Sequence, residues 1–113
     1  NFGGLGGTIG EASDRRLKKN IKSVGLQLDN VLKLNPVSFI YKADDLDRTK
    51  FGLIAQEVQE IYPELVKTKE TVKLKDSLSL NYQGVTPMLI KAIQEQQELI
   101  EKLSARIDEL EKQ

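Results

Sequence analysis

The C-terminal residues 88–113 contain neither glycine nor proline, and their apolar side chains recur at alternating spacings of four and three residues. The positions are Leu89, Ile93, Ile100, Leu103, Ile107 and Leu110, with Gln96 completing the series. Isoleucine at the first and leucine at the fourth position of a heptad is typical of a coiled coil. So narrow a stripe predicts a long helix that associates with other chains, and the alternative is a single amphipathic helix packed on its own domain. Isoleucine and leucine at these positions lean towards a dimer, while a buried Gln96 could hold another register or number of chains. Residue spacing alone therefore does not settle how many chains associate.

The predicted helix begins at Pro87, because proline suits the first helical position and Thr86 can cap it. Upstream, the sequence predicts short elements: a helix at 28–34, strands at 37–41 and 51–55, helical turns at 56–62, and two strands between 64 and 82. The strands at 37–41 and 51–55 are expected to pair as a hairpin. The predicted fold class is therefore α+β: small antiparallel β-hairpins with short helices, followed by a long C-terminal helix.

The composition excludes several kinds of chemistry. The 113 residues include no cysteine and no histidine, so Cys/His metal sites, thiolate nucleophiles and Ser-His-Asp triads are not available. Seventeen basic and seventeen acidic residues balance to zero, which argues against a broad surface for nucleic acid or membrane. No phosphate-binding glycine loop or metal-ligand cluster is present, so no cofactor and no metal are expected.

The N-terminal residues 1–12 carry five of the eight glycines and read as the end of a preceding domain or as a linker, with an expression leftover as the alternative. Residues 13–86 form the predicted compact domain, and residues 87–113 the coiled coil. Within the domain, residues 13–21 look like the start of a helix with Ser13 as its cap.

Ser13 and Lys18 raise a question of chemistry. Without histidine, a nucleophilic serine needs another base, and a lysine can serve if neighbouring positive charge favours its neutral form. Arg15, Arg16 and Lys19 supply that charge. In a continuous α-helix, however, a spacing of five residues separates two side chains by about 140°. Local physics therefore favours a helix cap and a solvated basic turn, unless the chain before the helix curls back or the two residues meet between chains.

The stretch "SDRRLKKNI" (13–21) resembles the opening motif of the intramolecular chaperone auto-processing domain of phage tailspike, tail fibre and neck appendage proteins. The motif positions are Ser13, Asp14, Arg16, Lys18 and Ile21. Three later blocks resemble the same family in the same order: "LNPVSFIY" (34–41), "FGLIAQEVQEIYPELV" (51–66) and "LNYQGVTPMLIKAIQE" (80–95).

The resemblance implies an autocatalytic serine endopeptidase that cuts its own chain once. It implies Ser13 as the nucleophile, Lys18 as the general base and Ala12–Ser13 as the scissile bond. Asp14 and Arg16 belong to the same motif and are expected to support the site. Gln56 and Glu57 lie in a hallmark block of the family, where they either support cleavage or simply tie the structure together.

The resemblance also implies a C-terminal chaperone that forms a homotrimer, a count that residue spacing alone does not supply. The partner is the upstream β-structured fibre of the same polypeptide, with no nucleic acid and no membrane. Assembly is expected in the host cytoplasm, after which the fibre remains in the virion tail and residues 13–113 are released. Two alternatives stay open: a non-cleaving trimerisation module of the same fold, and a generic coiled-coil adaptor.

Overall fold

The computed structural model describes residues 10–70 and 74–113, and there it confirms the predicted α+β architecture. The helices are α1 (Leu28–Val31), α2 (Ala55–Ile61) and α3 (Tyr82–Glu111). The strands are β1 (Val37–Phe39), β2 (Lys50–Gly52), β3 (Val66–Lys69) and β4 (Ser77–Leu80). Single 3-10 turns lie at Arg15–Leu17 and Pro63–Leu65.

The first hairpin pairs β1 with β2 in antiparallel register, with Ser38 opposite Phe51, so the predicted pairing is confirmed. Both strands are shorter than predicted. Asp44 shapes the connection between them, because its carboxylate accepts the backbone N–H groups of Leu46 at 3.1 Å and Arg48 at 2.9 Å. A carboxylate that accepts from the backbone a few residues ahead stabilises a turn in this way.

The second hairpin pairs β3 with β4, and Val66 lies opposite Leu80. The predicted strand residue Val72 lies outside the described residues. Leu74 precedes β4, and Tyr82 is the first residue of α3 rather than a strand residue. The strands are therefore shorter than the alternating pattern predicted.

A small apolar cluster lies between α2, the second hairpin and the beginning of α3. Its buried members are Val58, Tyr62, Leu65, Val66 and Val85. Val58 is 1% exposed, the lowest of these. A cluster of this size supplies limited stability, and association is a common way for small domains to gain more.

Helix α3 begins at Tyr82, five residues before the predicted start at Pro87. Asn81 caps it by accepting the backbone N–H of Gly84 at 3.2 Å. Pro87 therefore lies inside the helix, where its missing N–H leaves the carbonyl of Gln83 without an intrahelical donor. The proline rule failed because a stronger cap lies upstream.

The two halves of α3 have different surroundings. Val85 and Ala92 are buried on the domain, whereas the heptad residues further along are exposed. These exposed positions, here called the heptad stripe, are Ile93, Ile100, Leu103, Ile107 and Leu110. The second half of the helix thus does not pack on its own domain, which contradicts the single-helix alternative there.

The predicted helix start at 13–21 is wrong. The structure has only the 3-10 turn at Arg15–Leu17, and Asp14 rather than Ser13 is its cap. Lys18 already has an extended backbone, and Asn20 has a positive φ of 55°, which a continuing helix does not allow.

Candidate active site

The turn that carries Ser13 and Lys18 is built from local contacts. Asp14 accepts the backbone N–H of Arg16 at 2.8 Å, and the backbone N–H of Leu17 donates to the carbonyl of Asp14 at 3.0 Å. The backbone N–H of Lys18 then donates to the carbonyl of Arg15 at 3.1 Å and closes the turn. Each contact spans only two or three residues, so the sequence of this stretch determines its shape.

The turn brings the two candidate catalytic side chains together. Lys18 Nζ donates a hydrogen bond to Ser13 Oγ at 2.7 Å. Because Ser13 lies before the capping residue and Lys18 is extended, the angular separation of a continuous α-helix does not apply. The chain before the turn curls back, which is the first of the two exceptions that the sequence left open, and both residues belong to one chain.

Asp14 and Arg16 form an exposed ion pair beside these side chains. Arg16 Nη2 lies 2.9 Å from Asp14 Oδ2, and Arg16 Nε donates to Asp14 Oδ1 at 3.2 Å. The side-chain hydrogen bond from Arg16, followed by that from its backbone, lowers the pKa of Asp14. The same pairing raises the pKa of Arg16. Arg16 is therefore engaged by Asp14, and Arg15 and Lys19 remain as the positive neighbours of Lys18.

Gln56 and Glu57 lie apart from this turn. Both are exposed on the first turn of α2, which Ile54 caps without a side-chain hydrogen bond. Within the described ranges, no hydrogen bond or ion pair joins either side chain to Ser13 or Lys18. The structure therefore brings together four of the predicted site residues and leaves these two outside the cluster.

The turn and the chain after it are open to solvent. Residues 11–26 are all exposed, among them the apolar side chains of Leu17 at 71% and Leu26 at 77%. Ile21 and Val24 are also exposed. These apolar side chains are accessible for contact with another molecule. In a single chain, water reaches the candidate site freely.

Three residues at the end of this segment form a contact that sequence reasoning missed, here called the anchor: Gln27, Tyr62 and Glu95. Glu95 Oε2 accepts the backbone N–H groups of Gln27 at 2.6 Å and Leu28 at 3.0 Å. The Tyr62 hydroxyl donates to Gln27 Oε1 at 2.7 Å. Burial is the largest effect on the Tyr62 hydroxyl and raises its pKa; a hydrogen bond with Asn30 lowers the pKa, and the charges of Glu64 and Glu95 raise it further. The net pKa is raised, so the hydroxyl keeps the proton that it donates.

Two other kinds of feature are absent from residues 10–70 and 74–113. These residues contain no cluster of acidic side chains suited to a metal ion. No helix in the same ranges has the length and apolar character needed to span a membrane.

Residues 13–67 match a peptidase family described as chaperone of endosialidase. The chain is 36% identical over 99 residues to the "Probable tail fiber protein" of Escherichia phage Phieco32, which covers 86% of this chain and 14% of that protein. It is 35% identical over 102 residues to the "Long tail fiber protein" of Enterobacteria phage K3, covering 88% and 8%. It is 30% identical over 115 residues to "Myelin regulatory factor homolog 1" of Caenorhabditis elegans, covering 93% and 12%. The chain thus corresponds to a small part of each relative.

Proposed function

Because residues 13–67 belong to the chaperone-of-endosialidase family, we propose that this chain is the intramolecular chaperone of a phage tail fibre or tailspike. The chaperone forms a homotrimer, aligns three copies of an upstream β-structured fibre, and releases itself by cutting its own chain. Residues 1–12 then end the mature fibre, residues 13–86 form the processing domain, and residues 87–113 form the coiled coil. Assembly takes place in the host cytoplasm, and the fibre joins the virion tail.

The exposed face of α3 supports association. Ile90 and Leu99 flank the heptad stripe and are about half exposed, at 51% and 49%. They broaden the apolar face beyond the two positions per heptad that a pair of helices covers. A helix that contacts two neighbours buries a broader face than a helix that contacts one, which favours three chains over two.

Early association has a clear physical benefit for a fibre. Long chains must meet in register before a β-structure can nucleate, and such encounters are slow and prone to aggregation. Helices that associate first raise the effective concentration of the attached chains. Removal of the chaperone afterwards leaves a fibre whose unfolding is slow, because the chains no longer share the segment that assembled them.

The proposed cut rests on one observation, the 2.7 Å contact between Lys18 Nζ and Ser13 Oγ. When Lys18 is neutral, the same contact lets its nitrogen accept the hydroxyl proton. Ser13 Oγ then attacks the carbonyl carbon of Ala12 and forms an ester, while the amide bond to the Ser13 nitrogen breaks. Lys18 returns the proton to that nitrogen, and water hydrolyses the ester. The products are an Ala12 carboxylate and a free Ser13 amine, and the reaction needs no metal or cofactor.

One observation favours the alternative of a non-cleaving trimerisation module. The dyad is exposed to water in a single chain, and solvent weakens the electrostatic effects on which such a reaction depends. Cleavage therefore requires that other copies cover the segment around Leu17. If they leave it exposed, the domain assembles chains without cutting them.

A mass measurement separates the two functions. Residues 1–113 are expressed behind a bulky upstream tag, refolded at neutral pH and analysed by intact mass, beside a Ser13→Ala control. We expect a fragment that begins at Ser13 in the parent and none in the control. Size-exclusion chromatography with light scattering, applied to both, reports the number of chains.

Full-length trimers in both samples would support the non-cleaving module and reject the protease. A fragment in both would assign the cut to a contaminating protease. Monomers in both would reject the proposed homotrimer.

A further inference from the structure

The candidate dyad is joined to the folded domain through the anchor. In the described part of the chain, the hydrogen bonds formed by residues 11–26 all lie within 13–18. The next hydrogen bonds occur at Gln27, where the carboxylate of Glu95 and the hydroxyl of Tyr62 converge. Residues 10–26 are all exposed, so the anchor is the point where the position of this segment becomes determined by the domain.

Glu95 supplies a cap that α1 lacks. Gln27 occupies the capping position of α1, but its side chain makes no capping hydrogen bond. The carboxylate of Glu95, from a different helix, accepts the first two backbone N–H groups instead. These bonds are charge-assisted and partly buried, which makes them stronger than exposed hydrogen bonds between neutral groups.

We propose that Glu95 is a positioning residue for self-cleavage, which holds the dyad-bearing segment on α3. This inference rests on the proposed function. Gln27 lies nine positions after Lys18, and a chain of nine residues reaches at most about 30 Å. With Gln27 bound, the dyad stays within that distance of α3 and of any helices associated with it. Without the anchor, the segment is held only where α1 packs on α3. It then samples a larger volume and less often meets the neighbouring copies that cover it.

The anchor also makes cleavage depend on α3. The carboxylate of Glu95 lies 68 residues from the Gln27 amide and 67 from the Leu28 amide along the chain. The dyad turn, by contrast, forms from neighbouring residues. A chain with the turn formed but α3 not yet packed would hold its catalytic side chains together and still lack the anchor. Glu95 therefore delays efficient cutting until the helix is in place.

The test compares four forms of residues 1–113 behind the upstream tag: parent, Glu95→Ala, Glu95→Gln and Glu98→Gln. Glu98 lies on the same helix, is exposed and forms no described contact, so its replacement is the matched control. The first-order rate of release is followed by intact mass at several pH values. Thermal unfolding and the amide NMR signals of Gln27 and Leu28 are recorded on Ser13→Ala versions, which stay uncut.

We expect release to slow about tenfold or more in Glu95→Ala, because the variant loses two charge-assisted hydrogen bonds. Glu95→Gln should slow it less, because the amide oxygen still accepts a hydrogen bond. Glu98→Gln should match the parent. The pH of half-maximal rate should be the same in all four, since the chemistry stays at Ser13 and Lys18. The two amide signals should move only in the Glu95 variants.

Parent-like release from a folded Glu95→Ala would overturn the inference, and so would a rate loss explained by a smaller folded fraction. A shifted pH midpoint would place Glu95 in the chemistry itself and also overturn it. If Glu95→Ala does not fold, the release rate, folded fraction and pH midpoint of Glu95→Gln test the inference instead. An uncut parent would reject the proposed protease and this inference together, whereas a cut parent with unaffected variants would reject the inference alone.

Discussion

The dyad turn and the anchor lie at opposite ends of one exposed segment, and they are held in opposite ways. The contact between Ser13 and Lys18 spans five residues and is exposed. The anchor joins Gln27 to Tyr62 across 35 residues and to Glu95 across 68, and it is partly buried. A local contact can form in a chain that is otherwise unfolded, whereas a long-range contact requires the fold. The chemistry of the candidate site is thus encoded locally, and its placement is encoded globally.

The largest effect should come from a change in the dyad turn, and it should appear in the rate of self-cleavage. Lys18→Met keeps a long unbranched side chain but removes the amine, so self-cleavage should fall by about a hundredfold or more. The melting temperature should stay the same, because Lys18 is exposed. Intact mass over time measures the rate, and Lys19→Met, which changes a neighbouring exposed lysine, is the control. Equal loss in both variants would show that local charge, not a general base, is what matters.

Replacing a core residue should give the next largest effect, and that effect should leave the dyad turn unchanged. Val58→Ala removes two methyl groups from a side chain that is 1% exposed, which should cost about 2 kcal/mol in the free energy of unfolding. Chemical denaturation measures the loss, and Gln59→Ala, on the exposed side of α2, should cost much less. The amide shifts of Arg16 and Lys18 should not change, since the turn does not depend on the core. A change in these amide shifts would show that the dyad turn depends on the core, and that it is not held by local contacts alone.

Tyr62→Phe sharpens the comparison within the anchor. It removes the hydroxyl that donates to Gln27 but keeps the buried ring, so the free energy of unfolding should fall by about 1 kcal/mol. Denaturation again measures the change. Tyr41→Phe, which removes an exposed hydroxyl without a described partner, should have no measurable effect. Equal stability of Tyr62→Phe and the parent would show that the Gln27 contact contributes nothing.

The smallest effect is electrostatic. Because Arg16 lowers the pKa of Asp14, the stabilisation from this pair is complete above the ordinary carboxyl pKa and is lost as the pH falls through the lowered value. Arg16→Ala should return the Asp14 pKa towards 3.8, measured by NMR titration of the carboxyl carbon. Arg15→Ala should leave it lowered. Overall stability should barely change, because exposed ion pairs contribute little.

The same contrast between local and long-range contacts explains what the sequence predicted. Alternating apolar residues predicted β1 and β2 as a hairpin, and heptad spacing predicted the exposed stripe on α3. The beginning of α3 was misplaced because the proline rule considers Thr86 and Pro87 alone, while the cap at Asn81 extends the helix upstream.

The candidate site divides in the same way. Residue spacing argued against a contact between Ser13 and Lys18 because it assumed a regular helix, and the capping of a short turn by Asp14 removed that assumption. Family resemblance identified the pair where local rules did not. Glu95 could not be found from sequence, because an acidic residue between Ile93 and Gln96 looks like any solvent-facing position of a heptad. Its role depends on α1, which is distant in the chain.

Two contacts in the first half of α3 hold the helix against the rest of the domain. Tyr82 holds the first hairpin, since its hydroxyl accepts the Leu53 N–H at 3.0 Å, and Glu95 holds Gln27. The two contacts lie thirteen positions apart, about 20 Å along the helix, and the free end extends about 24 Å beyond Glu95. The free end is only slightly longer than the stretch between the two contacts, so these contacts restrict how far the helix can tilt. The direction in which the free end points is therefore set at its base, before any second helix meets it.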